Sequence, residues 1–334
     1  MAFKKATVDS GSVAATLTNY PAYVDLSRVG ITTLAEAQSV RVYSDEAKTT
    51  ELAREIVSAS EMHVKIPSLT TTTEIYIDYD GVRSDYAVSA TYGRNTVWSD
   101  YEAVYHMESD ASDSSGNYSA GTISGAANGV MKIGNGYDFD GISDQINFGR
   151  LSGIEGVSTL TQQAWHSSDL GTDVFLWGNA LGSASSATQA YYESNPVVIF
   201  FSVESINNRM VYPVSEMTAN QQHMLHLVFD GGLSGNANRY KIYQDGNDNT
   251  AAASFVGTIE TAIGTRTDPH IIGLRPGATT FDLDGTFDEY RFRTSALSAN
   301  WIETEYNNQN DESTFWGTWS EVSATNTSNF LIFF

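Results

Sequence analysis

Three acidic residues close together in the sequence, Glu108, Asp110 and Asp113, are the first candidates for chemistry. Glycoside hydrolysis uses two carboxylates, one as nucleophile or base and one as proton donor. On a strand, two such residues must have even spacing, because alternate side chains share a face. Here they border residues 109–129, which are rich in Ser, Gly, Asn and Asp and predict a long loop or several turns. We therefore interpret the acids as solvated loop residues or cation ligands, and we predict that the protein is not an enzyme.

A second set of residues has the chemistry of a sugar site. Carbohydrate binding uses aromatic rings that stack on the apolar faces of sugars, together with amide or charged groups that bond their hydroxyls. The predicted carbohydrate-binding residues are Trp177, Asn179, Tyr192, Arg209 and Tyr212, with Tyr191 and Asn208 beside them. The alternative interpretation is that these aromatic rings belong to the core of a sandwich.

The six histidines provide no ready metal pair. His223 and His226 are three residues apart, which in a strand places them on opposite faces. The chain has no cysteine, so disulfides, thiolate metal sites and a cysteine nucleophile are excluded. The sequence also lacks the G-x-S-x-G nucleophile elbow and the phosphate-binding P-loop.

The charge balance narrows the range of partners. The 334 residues include 40 acidic and 18 basic ones, which gives a formal net charge of -22. Nucleic acid and anionic membrane surfaces require a basic protein surface, so neither is an expected partner. The balance favours a soluble particle or divalent cations, or it simply provides solubility.

The sequence gives no sign of insertion into a membrane or of secretion. It has no run of about 18 apolar residues. Residues 1–5 lead directly into polar, strand-like sequence without the apolar stretch of a signal peptide. We therefore expect synthesis in the cytoplasm of a host cell.

Strand signals dominate the sequence. Alternating apolar and polar residues predict half-buried strands with apolar positions at Ile75, Ile77 and Tyr79, at Leu225, Leu227 and Phe229, and at Tyr290 and Phe292. The apolar run 197–201 predicts a central strand covered on both sides. Helical signals are few: a capping box at Thr33–Glu36, and Ser298 as a possible N-cap before a turn or two.

The changes in composition divide the chain into three parts. We predict an N-terminal β-domain at 1–93, a larger sandwich at 94–322 and a C-terminal tail at 323–334. The tail ends in five apolar residues, which are costly to leave in water. They either add a strand to this fold or dock on a partner.

Two groups of motifs carry a resemblance to known families. Residues 17–27, 40–43, 50–52, 64–69 and 75–79 resemble an uncharacterised N-terminal domain family of archaeal, bacterial and phage surface proteins. Residues 97–98, 103–107, 138–144, 226–230, 241–246, 285–292 and 301–309 resemble a concanavalin A-like, laminin-G-like domain, with an FDG-x-x-D signature at 139–144. The resemblance extends to about residue 321. It implies an all-β fold, in which a small N-terminal β-sandwich precedes a jelly-roll sandwich.

The resemblance also implies a cation site. In jelly rolls of this kind a calcium ion often joins an early loop to the closing strand, and the matching positions are Asp113, Asn117 and Asp288. The alternative is that Asp113 caps a turn and that Asp288 pairs with an arginine such as Arg291 or Arg293.

The function implied is that of a non-enzymatic structural protein of a phage virion, as a tail or fibre component or a capsid decoration. The jelly roll would bind host-surface glycans, the N-terminal domain would attach to other virion proteins, and the protein would form a homo-oligomer. One alternative is a cellular adhesion or carbohydrate-binding module. Another is a glycoside hydrolase or lyase, since jelly rolls of this type host several functions.

Overall fold

The computed structural model describes residues 2–170, 173–179, 188–194, 197–205, 207–274 and 282–322. Antiparallel strands make up most of the regular structure in these ranges. The predicted all-β fold is therefore confirmed. The predicted tail at 323–334 lies outside the described residues. No helix within the described ranges is long and apolar enough to cross a membrane.

The strands and helices are short and follow one another closely. The first part of the chain contains β1 (Ala2–Thr7), β2 (Leu17–Asp25), α1 (Leu34–Gln38), β3 (Arg41–Tyr43), β4 (Glu51–Leu52), β5 (Arg54–Ile56), β6 (Glu61–Leu69) and β7 (Glu74–Tyr79). The middle contains α2 (Arg94–Val97), β8 (Ala103–Tyr105), β9 (Thr122–Ser124), β10 (Ala127–Val130), β11 (Asn135–Asp140), β12 (Gln145–Asn147), β13 (Thr159–His166), β14 (Val174–Gly178), β15 (Gln189–Ser194), β16 (Val197–Ser205) and β17 (Asn208–Pro213). The last part contains β18 (His223–Asp230), α3 (Asn236–Arg239), β19 (Tyr240–Gln244), β20 (Asn247–Asp248), β21 (Ser254–Val256), β22 (Ile271–Ile272), β23 (Asp284–Arg293), α4 (Ala299–Asn310), α5 (Glu312–Phe315) and β24 (Ser320–Glu321). Four 3-10 turns lie at Leu26–Val29, Ser152–Ile154, Val214–Glu216 and Thr250–Ala252.

The N-terminal unit consists of two antiparallel sheets on a shared core. One sheet has the order β24-β1-β7-β3-β4, and the other has the order β2-β6-β5. Apolar side chains of both sheets, including Ala6, Val24, Val64 and Ile77, pack in this core. Helix α1 begins with the predicted capping box: Glu36 N donates to Thr33 Oγ1, and Thr33 N donates to Glu36 Oε2. The capping-box prediction is confirmed.

The jelly roll consists of two larger antiparallel sheets that enclose the main core. The first has the order β10-β11-β23-β13-β18-β19-β20, with β8 also paired to β23. The second has the order β21-β17-β16-β15-β14-β22-β12-β9. Strand β16, predicted from its apolar run, lies inside this second sheet between β15 and β17, as expected for a central strand.

The three strands predicted from alternation are present, but each is buried on both faces rather than half-buried, as β7, β18 and β23 all show. Leu225, Leu227, Tyr290 and Phe292 are buried in the jelly-roll core, as their alternation predicts. Arg291 on β23 occupies a polar position of the pattern, yet only 1% of it is exposed. The outward face of β23 is therefore covered, and the half-buried strand that the pattern predicts is in fact buried on both sides.

The last segment of the described chain returns to the N-terminal unit. Ser298 Oγ accepts from Trp301 N, so the predicted N-cap is confirmed, but α4 runs for 12 residues rather than a turn or two. Trp301, Phe315 and Trp316 pack in the core of the N-terminal unit, and β24 pairs with β1. The side chain of Asn308 bonds both the N–H and the C=O of Tyr23 on β2. Residues from the far end of the chain thus complete the N-terminal unit, a feature that the division near residue 93 does not include.

The returning segment carries a buried acid that makes stability depend on pH. Glu312 is 6% exposed, and burial raises its pKa from 4.5 to about 7, although Arg28 donates a hydrogen bond to it and acts in the opposite direction. Because the folded pKa is above the unfolded one, the stabilisation is complete below about pH 4.5 and is lost as the pH rises through about 7. Each pKa unit corresponds to about 1.4 kcal/mol, so the loss amounts to about 3 kcal/mol. Urea unfolding of wild type and Glu312→Gln between these pH values checks this; equal pH slopes would contradict it.

Candidate functional site

Four ionisable side chains meet where the N-terminal unit contacts the jelly roll. Glu61 and His63 come from β6, His106 follows β8, and Glu289 lies on β23. Each is at most 4% exposed. We name this group the junction centre.

The donor atoms of the junction centre are close together. One nitrogen or carboxylate oxygen from each of the four residues lies within 4.8 Å of the other three. His106 Nδ1 is 2.7 Å from Glu289 Oε1 and 3.4 Å from Glu61 Oε1. His63 Nε2 is 3.0 Å from Glu61 Oε1 and 4.0 Å from Glu289 Oε1. Among the described residues, this is the one group of three or more His, Asp or Glu side chains spaced to share an ion.

The backbone explains how these side chains converge. Glu61 and His63 are two residues apart on β6 and therefore project from the same face. In β23 the register against β13 shifts between the pairs Trp165–Asp288 and Gln163–Arg291. Glu289 lies within this shift and has a φ of 53°. Such a bulge redirects a side chain that strict alternation would send to the opposite face.

A second layer of residues holds the junction centre in place. Glu55 on β5 accepts hydrogen bonds from Trp98 Nε1 and from Ser114 Oγ, and it lies 3.1 Å from His106 Nε2. On the other side, the guanidinium of Arg291 donates two hydrogen bonds to Glu289 Oε2. Glu55 and Glu289, the two carboxylates nearest His106, are therefore fixed by partners outside the centre.

The arginine extends the network to helix α4. Arg291 Nη1 donates to Glu305 Oε1 at 3.0 Å, and His226 Nε2 lies 3.0 Å from Glu305 Oε2. Burial alone would raise the pKa of Glu289, but Arg291 and His106 hold that pKa well below its usual value. Burial likewise opposes ionisation of Glu305, and its pKa is nevertheless lowered by His226 and Arg291. The network thus stabilises two buried carboxylate anions.

The other three groups of the centre have pKa values that are shifted in different directions. Burial lowers the pKa of His63 well below its ordinary value, and the neighbouring His106 adds to this effect. Burial also acts to lower the pKa of His106, but the charges of Glu289 and Glu55 outweigh it and hold that pKa well above its usual value. Burial and the charge of Glu289 raise the pKa of Glu61.

A polar cleft leads from the surface to His106. It has a volume of about 220 Å³, and its lining includes Glu55, His106, Glu108, Asp110 and Ser114. Glu108 in this cleft accepts hydrogen bonds from the backbone and side chain of Asn135, so it is an anchored residue rather than a free catalytic acid.

A second concave site lies on the outer face of the first jelly-roll sheet. We name it the outer-face groove; it has a volume of about 460 Å³ and is lined by Ala127, Asn128, Gly129, Val130, Met131, Asp138, Ser167, Asn220, Gln222 and Thr286. Tyr137 and Phe287 point into the core, so by alternation their neighbours Asp138 and Thr286 point outward. Ser167 Oγ lies 2.8 Å from Thr286 Oγ1, and Gln222 Nε2 donates to the same hydroxyl.

The structure places the predicted sugar-binding aromatics in the core. Trp177, Tyr192 and Tyr212 are each at most 2% exposed and belong to the jelly-roll core, so in this conformation none offers a ring face for stacking. These three rings therefore pack in the core of the sandwich, as the alternative interpretation predicts. Asn179 is buried and accepts from Thr188 N, while Arg209 is half-buried on β17. The predicted set therefore does not form a sugar platform.

The predicted calcium ligands have other partners. Asp113 caps its own loop by accepting from the backbone N–H groups of Val104, Ser115, Asn117 and Tyr118. The Asn117 amide group donates to backbone carbonyls of residues 101 and 102. The alternative that Asp113 caps a turn is thus confirmed.

The third predicted ligand, Asp288, bonds a different loop. Its Oδ2 accepts from Ile133 N, and its described bonds do not include Arg291 or Arg293. The structure brings Asp113 and Asn117 together through a hydrogen bond, but it gives Asp288 no described bond to either.

Neither the junction centre nor the outer-face groove is predicted from the sequence. The only local signal for the centre is the Glu61–x–His63 spacing, which places an acid and an imidazole on one face of a strand. His223 and His226, which are expected on opposite faces of a strand, have different partners. His223 lies 2.7 Å from Asp245, whereas His226 contacts Glu305.

Comparisons with known proteins give information about the fold alone. No protein-family model matches the chain, and no curated protein matches it. Among solved structures, domain 4 of AbnA, a GH43 extracellular arabinanase from Geobacillus stearothermophilus in complex with arabinotriose, is 18% identical with a TM-score of 0.48. That match covers 62% of this chain and 98% of the domain.

Two longer structures resemble the chain over part of their length. Trypanosoma rangeli sialidase in complex with sialic acid is 12% identical with a TM-score of 0.45, and the match covers 75% of this chain and 42% of the sialidase. The binding domain of botulinum neurotoxin serotype D is 11% identical with a TM-score of 0.47, covering 63% of this chain and 51% of that domain. The chain thus spans about half of these two structures or less.

Proposed function

We propose that this chain is a non-enzymatic surface protein that binds glycans through the outer-face groove of its jelly roll. The observation that carries the proposal is the chemistry of the groove lining. Asp138 supplies a carboxylate, Asn220 and Gln222 supply amides, and Thr286 supplies a hydroxyl. These are the groups that bond the hydroxyls of a sugar ring.

The groove also has an apolar side. Val130 is 86% exposed, and Met131 lies next to it in the lining. An apolar side chain beside polar groups suits a sugar, whose rings carry C–H faces between their hydroxyls. The volume of about 460 Å³ falls within the ordinary range of small-molecule sites, about 300–1,000 Å³.

The setting we propose is a phage virion, where the chain would serve as an exposed tail or fibre component or as a capsid decoration. This rests on the resemblance of the N-terminal segment to domains of surface proteins and on the net charge of -22. The jelly roll would face host glycans, and the N-terminal unit would bind other virion proteins in a homo-oligomer. A cellular adhesion module would use the same groove, and portal, capsid and tail genes next to this gene would exclude it.

Replacing Asp138 by Asn should weaken glycan binding by about 10- to 100-fold, because a hydrogen bond to a charged group contributes about 1.5–3 kcal/mol. A glycan array with the full-length protein identifies the ligand, and titration calorimetry then compares the variants. Asp140→Asn is the matched control: it lies on the same strand and face, outside the groove lining, and should bind within about twofold of wild type. Silence on the array, or equal affinities for both variants, would refute the groove as the glycan site.

The same titration tests the proposed calcium ion. Binding that is lost in EDTA and restored by calcium, but not by zinc, would support a calcium ion in the glycan-binding form of the protein. Binding that persists in EDTA would remove calcium from the proposal and leave the groove intact.

A further inference from the structure

We propose that the junction centre binds one Zn²⁺ ion through four protein ligands. Zinc in proteins prefers a tetrahedral arrangement with bonds to nitrogen and oxygen of about 2.0–2.1 Å, which places neighbouring donors about 3.3 Å apart. The four donor pairs measured above are 2.7, 3.0, 3.4 and 4.0 Å apart. All four donor atoms lie within 4.8 Å of one another, so small shifts of these side chains would bring them to zinc-binding spacing.

Glu55 and Arg291, which lie just outside the centre, orient two of the four ligands. His106 directs Nδ1 to the centre while Nε2 lies within hydrogen-bond distance of Glu55, so the Nε2–H would donate to a carboxylate. Metal-binding histidines commonly have this carboxylate partner, which fixes the tautomer and the ring orientation. Arg291 occupies Oε2 of Glu289 and leaves Oε1 facing the other donors.

The other two ligands have polar atoms that the protein leaves unpaired. Glu61 is 1% exposed, and its Oε2 has no hydrogen-bond partner among the described residues. His63 is fully buried, and its Nδ1 is likewise unpaired there. Oε1 of Glu61 and Nε2 of His63 face the other donors, and a cation bound there would compensate for the burial of a carboxylate whose second oxygen has no partner.

The donor set selects zinc over calcium or magnesium. Calcium takes six to eight oxygen ligands and magnesium requires octahedral oxygen coordination, whereas imidazole nitrogen suits zinc. Two imidazoles and two carboxylates complete a tetrahedral shell, and a closed shell of protein ligands is typical of structural zinc.

The position of the site gives the ion a structural role. Glu61 and His63 belong to the N-terminal unit, whereas His106 and Glu289 belong to the jelly roll. One ion would therefore link strands of both units. The cleft that ends at His106 provides a path for the metal to enter.

Metal analysis of the full-length protein tests the proposal. Protein produced with added zinc should contain about one zinc ion per chain after dialysis. Replacing zinc by cobalt should produce the intense visible absorption of tetrahedral Co²⁺. Chelation should lower the thermal midpoint, and added zinc should restore it.

Matched variants locate the ion. His63→Gln and Glu61→Gln should lose the zinc, whereas His223→Gln, which changes a buried histidine next to a carboxylate outside the centre, should retain it. Folded wild-type protein that takes up less than about 0.1 zinc per chain would overturn the proposal, and so would full zinc content in both centre variants. The wild-type measurement decides the matter even if a variant fails to fold, and either result leaves the glycan proposal untouched.

Discussion

Replacing Arg291 by Met should lower the free energy of unfolding by about 3–5 kcal/mol, the range expected when one partner of a buried ion pair is removed. Arg291 is 1% exposed and pairs with both Glu289 and Glu305. Methionine fills much of the same space but leaves two buried carboxylates without their shared cation. Urea unfolding followed by circular dichroism measures the loss.

The matched control is the same substitution two residues further along β23. Arg293 is 16% exposed, lies 3.8 Å from Asp100 and covers the ring of Trp301. Because this pair reaches solvent, Arg293→Met should cost about 1 kcal/mol or less. Equal losses for the two variants would mean that burial of the network contributes nothing beyond an ordinary surface ion pair.

Replacing Trp316 by Ala should cost about 3–5 kcal/mol, as is usual when a large buried aromatic ring is removed. Trp316 is fully buried in the core of the N-terminal unit, and its Nε1 donates to the backbone oxygen of Tyr23. The substitution leaves a cavity and removes one of the two side-chain hydrogen bonds to the Tyr23 carbonyl on β2, which still accepts from Asn308. Urea unfolding of the variant checks the magnitude.

Two further observations distinguish this effect from general damage. Trp319→Ala changes a half-buried neighbour on the same segment and should cost clearly less. Amide hydrogen exchange in Trp316→Ala should quicken in β2 and β6 of the N-terminal unit more than in β13 and β18 of the jelly roll. Uniform quickening across the chain would contradict a local role for the returning segment.

Most of the secondary structure could be predicted because it depends on local patterns. The alternation around Leu225 and Leu227 predicts a strand, and the capping box at Thr33 predicts the start of a helix. These signals act within a few residues, so they predict the element itself, whereas the burial of its second face depends on the tertiary structure.

The candidate sites could not be predicted, because strand pairing over long distances creates them. His63 and Glu289 are far apart in the sequence, and a bulge that the sequence does not reveal turns Glu289 toward the centre. The burial of the predicted sugar-binding rings could not be inferred from the sequence for a related reason. A ring such as Trp177 has the same chemistry on a surface and in a core, and only the paired sheets decide which applies.

The return of the C-terminal segment to the N-terminal unit sets the order of events during synthesis on the ribosome. Strand β1 lacks its partner β24, and the first core lacks Trp316, until about 310 further residues have been translated after β1, which takes about 15–60 s at about 5–20 residues per second. The jelly-roll strands emerge during that interval and can pair before the first unit is complete. The N-terminal unit therefore emerges before the jelly roll but can be completed only after it, and a nascent chain stalled before residue 299 would display an open sheet edge to chaperones.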